Sequence, residues 1–315
     1  MMSHNLFYLA KPLYGGWVSF TAHLSLKYDL PLYKITKRTE KKKRPYGYGV
    51  EYQNVSEDVA KGLPNCIITA IDKTYYDTLS SFPDGTHIVI HDPTEVKKTS
   101  DIALLTALKR FNVITIRKSV QDYLQSELNI LSKHIIHPFY AYPYTKCPTP
   151  HTAVSTSRID YDKHTDIILD ANKTLAEPIS LYGAVNGRYV CFKLDDAEFH
   201  KYHKGTFNKT FEALNNILTD AKFVVDMSII KKDGGGSQYT FLEALYQECA
   251  LVINKKWTDN METPYKYGEN CFIVETPQEL INVITTEDYS KVLAGAKLIL
   301  QPHIDVNWIE ELVKA

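Results

Sequence analysis

The reading turns on Lys232-Asp233-Gly234-Gly235-Gly236-Ser237-Gln238-Tyr239-Thr240-Phe241-Leu242-Glu243-Ala244-Leu245, which runs on to Leu251-Val252-Ile253. Ahead of it, Ala221-Lys222-Phe223-Val224-Val225-Asp226 is a short β-branched and aromatic run that predicts a buried strand. The three glycines forbid regular structure and let backbone approach a ligand closely. From Tyr239 onward Phe241, Leu242, Leu245 and Tyr246 repeat at helical spacing. The order is therefore strand, glycine loop, helix, strand. Bare N–H groups at a helix start facing such a loop make an anion site. Glu243 falls about one turn inside that helix, where its carboxylate can accept hydrogen bonds from a hydroxylated ligand. Phosphate on the helix end and a sugar diol on the carboxylate together describe a nucleotide. A plainer reading stands beside this one: such glycines also serve as a flexible connection, and an early Glu also complements the helix dipole.

Asn5-Leu6-Phe7-Tyr8-Leu9-Ala10 predicts a first strand, followed by Gly15-Gly16 and a helical pattern through Phe20, Leu24 and Leu26. That is how a doubly wound domain opens, although the spacing after Gly16 is not the dinucleotide fingerprint. Leu32–Ile35, Cys66–Ile71, His87–Ile90 and Asn112-Val113-Ile114-Thr115-Ile116 are apolar runs of parallel-sheet type. His91-Asp92-Pro93 follows one of them, with titratable groups where α/β folds place ligands. Asp92 before Pro93 is equally a helix cap. Three prolines within Tyr142-Pro143-Tyr144-Thr145-Lys146-Cys147-Pro148-Thr149-Pro150 mark a stiff linker and a domain boundary.

Beyond the linker, Thr152-Ala153-Val154-Ser155 leads to Ser157-Arg158, a polar turn, and Lys163 before a helix. Arg158 supplies a planar fork and Lys163 a mobile point charge, a combination that suits adjacent phosphates. Ile179-Ser180-Leu181-Tyr182-Gly183 and Tyr189-Val190-Cys191-Phe192 predict further strands, and the polar segment 198–209 predicts surface. Amphipathic last helices are expected from about Tyr289 to Leu300 and from Val306 to Val313.

Composition bounds the alternatives. At 315 residues and 44% hydrophobic the chain can build two α/β domains, and 36 basic against 37 acidic residues give no field announcing nucleic acid or membrane. The one dense charge run is Lys37-Arg38-Thr39-Glu40-Lys41-Lys42-Lys43-Arg44, six of eight basic, followed by aromatic, glycine-loosened 45–52. It reads as a solvated loop or as a phosphate-binding arm with stacking aromatics. Five scattered cysteines without C-x-x-C spacing argue against a disulfide framework and a zinc site. Neither a spanning apolar run nor a signal-peptide core is present, so the chain reads as cytoplasmic, in the host cytoplasm if viral, with no stable membrane insertion.

The Gly235-to-Glu243 stretch, with Leu-Glu-Ala-Leu before Ala-Leu-Val-Ile, resembles the donor-site signature of the GT-B glycosyltransferases, in the large retaining group. Ser157-Arg158 with Lys163 resembles that group's diphosphate clamp, in the family's order and about eighty residues before Glu243. The resemblance implies two Rossmann-like doubly wound domains facing a central cleft. Residues 1–146 would form the acceptor-side domain, 147–300 the nucleotide-sugar domain, and 301–315 a terminal helix returning to the first. It implies donor binding by Gly15, Gly16, Arg158, Lys163, Gly235, Gly236, Ser237, Gln238, Tyr239, Thr240 and Glu243, with His91 and Asp92 at the reacting sugar. No metal and no cofactor are required; a nucleotide diphosphate sugar, a UDP-sugar by expectation, is the substrate. One departure is clear: the group's upstream Glu, two turns before Glu243, is replaced by Gly235-Gly236.

The acceptor expected is a hydroxymethylated base in double-stranded DNA, held through Lys37, Arg38, Lys41, Lys42, Lys43 and Arg44. This resembles the bacteriophage DNA-base glycosyltransferases. The alternatives are a transferase building a cell-surface or capsular glycan, and a non-catalytic sugar-nucleotide or nucleic-acid binding protein.

Overall fold

The computed structural model describes residues 4–11, 13, 15–35, 46–96, 102–259 and 261–314. The chain divides into two units, one of residues 1–140 with 303–315 and the other of residues 141–302. The expected basic arm of Lys37, Arg38, Lys41, Lys42, Lys43 and Arg44 lies outside the described residues.

The first unit runs β1 (Asn5–Leu9), α1 (Gly16–Tyr28), β2 (Leu32–Ile35), β3 (Tyr52–Val55), α2 (Glu57–Gly62), β4 (Cys66–Ile71), β5 (His87–Ile90), α3 (Ile102–Leu108), β6 (Asn112–Thr115), α4 (Lys118–Leu128) and β7 (Lys133–His134). The strands form one parallel sheet in the order β3-β2-β1-β4-β5-β6-β7. Every residue of β1 and β4 is buried, as a sheet covered on both faces requires. Because the chain leaves β1 toward one edge and resumes at β4 on the other side, the crevice beyond their carboxyl ends is a switch point. The sheet closes on the short pair Lys133–His134, and β3 and α2 come from a stretch without strong periodicity.

The second unit runs β8 (Thr152–Ser155), α5 (Thr165–Asn172), β9 (Ser180–Leu181), α6 (Gly187–Lys193), α7 (Asp196–Tyr202), α8 (Phe211–Leu218), β10 (Ala221–Asp226), α9 (Tyr239–Tyr246), β11 (Ala250–Asn254), β12 (Phe272–Val274), α10 (Pro277–Thr286) and α11 (Leu293–Asp305). Its parallel sheet has the order β12-β11-β10-β8-β9, which sets the switch point between β8 and β10. The expected strand at Tyr189-Val190-Cys191-Phe192 is helix α6. The Asn186 side chain accepts from Arg188 N at 3.1 Å and Tyr189 N at 3.4 Å, and that cap commits the run to a helix.

The segment 198–209 is more than surface. Phe199 and Tyr202 are buried, Lys204 N donates to Leu181 O at 2.8 Å, and His203 Nε2 meets Gly183 O at 3.1 Å. Residues 141–146 already belong to the second unit: Lys146 Nζ donates to Ala221 O at 2.6 Å and Leu218 O at 3.1 Å. The change of unit, at 140–141, therefore falls ahead of the boundary expected at 146–147.

The second change of unit falls inside α11, at 302–303. Lys27 Nζ closes the end of that helix, donating to His303 O, Ile304 O and Val306 O at 3.2, 2.6 and 2.9 Å. Burial lowers the Lys27 ammonium to about 8. In the last helix, α12 (Trp308–Val313), Trp308 is fully buried, donates from Nε1 to Ile136 O at 2.7 Å and sits edge-on to Phe20.

Candidate functional site

In the second unit, polar side chains converge beyond the carboxyl ends of β8 and β10. Asp226 ends β10 and is buried; it accepts from the hydroxyls of Ser157 and Ser228 and, at 2.9 Å, from Ser228 N. Lys163 reaches in from the turn after β8. Its ammonium donates to Ser228 Oγ at 2.5 Å and Gln238 Oε1 at 3.0 Å, and lies 3.8 Å from the Asp226 carboxylate. A buried ammonium held this way is paired and fixed in place. Arg158 sits more openly, its guanidinium on Asp160 and Asp162 at 3.2 Å each. Exposed pairs of this kind contribute little, so a dianion could take the guanidinium from them.

Gln238 precedes the first turn of α9. The main-chain amides of Gln238 and Thr240 have no acceptor among the described residues, as expected of orphan groups at a helix start. Glu243 lies one turn further and is buried. Its charge reaches two neighbours. After burial, it is the next cause raising the Tyr142 phenol, and it favours the charged form of Lys209.

The glycine loop behaves differently from the expectation that all its amides face a ligand. Gly235 N donates to Trp257 O at 2.6 Å, and Gly236 N to Gly234 O at 2.8 Å, so both are engaged within the protein. The loop is glycine because backbone crowds it: a Cβ on Gly234 would stand 2.5 Å from Trp257 O, and one on Gly235 2.4 Å from Glu262 O. Gly235 also has φ +73°, a conformation side chains disfavour. Ser237 is buried and bonded through Oγ to Tyr265 Oη at 2.8 Å, and Tyr239 is buried as well. Asp233 is buried and accepts from Gly234 N at 2.9 Å.

Sequence reading passed over Lys209. It is partly buried on the approach to α8, and Lys163 and Arg158 add to burial in lowering its ammonium, against the pull of Glu243. Lys209 thus shares one electrostatic field with Lys163, Arg158 and Glu243.

In the first unit the turn after β1 places Gly15 at φ +90°, where its carbonyl accepts from Val18 N and Ser19 N to start α1 at Gly16. His91 follows β5 but turns inward. It is 6% exposed, its Nε2 faces Thr69 O at 2.7 Å, and it packs edge-on to Phe20. Burial holds it near 3, so the ring is neutral at physiological pH, with the Nε2 proton on the carbonyl and Nδ1 as the acceptor. The Asp92 carboxylate caps Thr94, accepting from its N–H at 2.7 Å and from its hydroxyl. The carboxylate that enters this corner is instead Glu95: Trp17 Nε1 donates to Oε1 at 2.8 Å and His91 N to Oε2 at 3.2 Å. Burial, then Asp92, raises Glu95 well above the usual carboxylate range.

No group of three or more His, Cys, Asp and Glu with metal-binding geometry occurs among the described residues. None of the described helices is long and apolar enough to cross a membrane.

Two parallel α/β units of this kind are shared with solved GT-B glycosyltransferases. The alpha-glucosyltransferase AGT, solved in complex with UDP, superposes with a TM-score of 0.74 at 13% identity, over 99% of each chain. Anabaena HepE with UDP gives 0.71 at 14% identity, over 99% of this chain and 98% of that one. S. aureus TarM, in a complex containing UDP, gives 0.57 at 14% identity over 79% of this chain and 53% of its own. No family model matches the sequence, and no curated protein matches it.

Proposed function

We propose that the protein is a glycosyltransferase that takes a sugar from a UDP-sugar. The observation that carries this reading is the convergence of Arg158, Lys163 and the first turn of α9 at the β8/β10 switch point, with Glu243 one turn behind. The UDP complexes of AGT and HepE, on the same fold, support it. In this reading Arg158, Lys163 and the amides of Gln238 and Thr240 hold the diphosphate, and Glu243 holds the ribose hydroxyls. Lys209 adds a third cation.

The bond from the anomeric carbon to the phosphoryl oxygen breaks, and the electron pair leaves on the diphosphate, where cations and helix N–H groups stabilise it. The acceptor oxygen bonds the anomeric carbon from the same face, retaining configuration, and its proton passes to the departing phosphate oxygen. The chemistry asks for no metal. For the acceptor we propose a hydroxymethylated base in DNA. The basic run at 37–44, the one dense charge cluster of a nearly neutral chain, supports it through phosphate contacts. Extruding the base costs a few kcal/mol, which those contacts offset.

The test incubates the protein with a panel of nucleotide sugars and hydroxymethylated or unmodified DNA, then weighs the digested nucleosides. A gain of one sugar on the modified base alone supports donor and acceptor together. Released UDP without labelled DNA keeps the transferase and discards the acceptor in favour of a glycan. Absence of both turnover and nucleotide binding overturns the reading.

A further inference from the structure

One side-chain donor at the switch point has nothing to bond. Gln238 Oε1 accepts from Lys163, and since an ammonium can only donate, this fixes which way the amide points. The opposite atom, Nε2, is buried and has no hydrogen-bond partner among the described residues. Its neighbours are satisfied among themselves: Ser157, Ser228 and Lys163 all close on Asp226. A buried NH2 left open beside a fully bonded network calls for a partner from outside the protein.

The chemistry of that partner follows from what surrounds the amide. The Lys163 ammonium is bonded to the other end of the same side chain, and the N-terminus of α9 begins at the next residue. Both favour negative charge, and Nε2 can only donate. Asp226, the carboxylate of this network, is already tied to two hydroxyls, an amide and the lysine. We propose that Gln238 is a phosphate-binding residue: Nε2 donates to a phosphoryl oxygen of the bound nucleoside diphosphate while Oε1 holds Lys163 against the same group. This rests on the transferase reading and assigns a side-chain role to a residue placed there only through its main chain.

The experiment titrates the full chain with UDP by calorimetry and with uridine by ligand-observed NMR, for wild type, Gln238→Met and Gln238→Glu. Melting of the ligand-free proteins checks folding. Gln238→Met should weaken UDP about tenfold and leave uridine unchanged. Gln238→Glu keeps an acceptor for Lys163 but replaces the donor with an anion, and should weaken UDP further. Equal UDP affinity in wild type and Gln238→Met overturns the proposal and leaves the transferase reading standing. An equal loss for UDP and uridine also overturns it, because the residue would then only support the fold. Wild-type protein that binds no nucleoside diphosphate overturns both.

Discussion

Trp17 Nε1 donates to Glu95 Oε1 at 2.8 Å, so the first turn of α1 and the turn after β5 are joined by one carboxylate, whose other oxygen takes the His91 N–H. Burial raises this carboxyl well above its ordinary value. The folded state therefore keeps a proton that the unfolded chain loses near 4.3. Stability from this group is complete below that value and declines as pH rises toward the folded pKa, by about 1.4 kcal/mol per unit. Glu95→Gln removes the decline. Denaturant unfolding of both proteins from pH 4.5 upward should show the variant gaining on wild type as pH rises, whatever constant offset the lost acceptor for His91 adds. Parallel curves would mean that Glu95 is ionised in the fold.

Lys163 and Asp226 should be separable by paired substitution. Lys163→Met strands a buried carboxylate and should cost about 3 kcal/mol in unfolding free energy. Adding Asp226→Asn removes the stranded charge and should return much of that loss, without restoring UDP affinity. Recovery of both stability and binding in the double variant would show that the ammonium does not touch the ligand.

Gly235 makes a sharper case. A side chain there must displace the Glu262 carbonyl and adopt φ +73°, so Gly235→Ala should destabilise the second unit by about 1–3 kcal/mol, read by thermal melting. The same crowding explains why the retaining enzymes' upstream Glu has no counterpart here: Gly235→Glu should be worse than Gly235→Ala in stability and should not improve transfer. A melting temperature matching wild type in either variant would contradict the packing described for this loop.

These cases also mark what was legible in the chain. The path β10, glycine loop, α9 and β11 could be read directly, because continuous apolar runs and three glycines punctuate it locally. Tyr189-Val190-Cys191-Phe192 could not: four apolar residues, three of them β-branched or aromatic, fit either period, and the Asn186 cap decided the outcome. The glycines were legible as a loop but not in their cause, since the atoms that crowd Gly234 and Gly235 come from residues 257–262. Gln238 and Lys163 meet across 75 positions, and Lys209 joins Glu243 only through the fold, so neither relationship leaves a trace in spacing. His91 was visible as a polar residue at a strand end, yet only the Thr69 carbonyl reveals that the ring turns inward.

The histidines predict the opposite pH slope from Glu95. His303 is buried, its Nδ1 lies 2.8 Å from His137 O, and burial lowers it to about 4. Above pH 6.5 the ring is neutral both folded and unfolded, and it adds no pH dependence. As pH falls from 6.5 toward 4 the unfolded chain takes up a proton that the folded chain refuses, and stability falls by about 1.4 kcal/mol per unit. His303→Gln cannot titrate and should flatten that part of the curve. Its side chain can still donate to the His137 carbonyl, and Lys27 still closes the helix end through main-chain oxygens. Unfolding at pH 7.5 and 5.5 is the measurement: the loss between the two should be about 1 kcal/mol smaller in the variant. An identical loss in both proteins would mean that His303 accepts its proton in the fold.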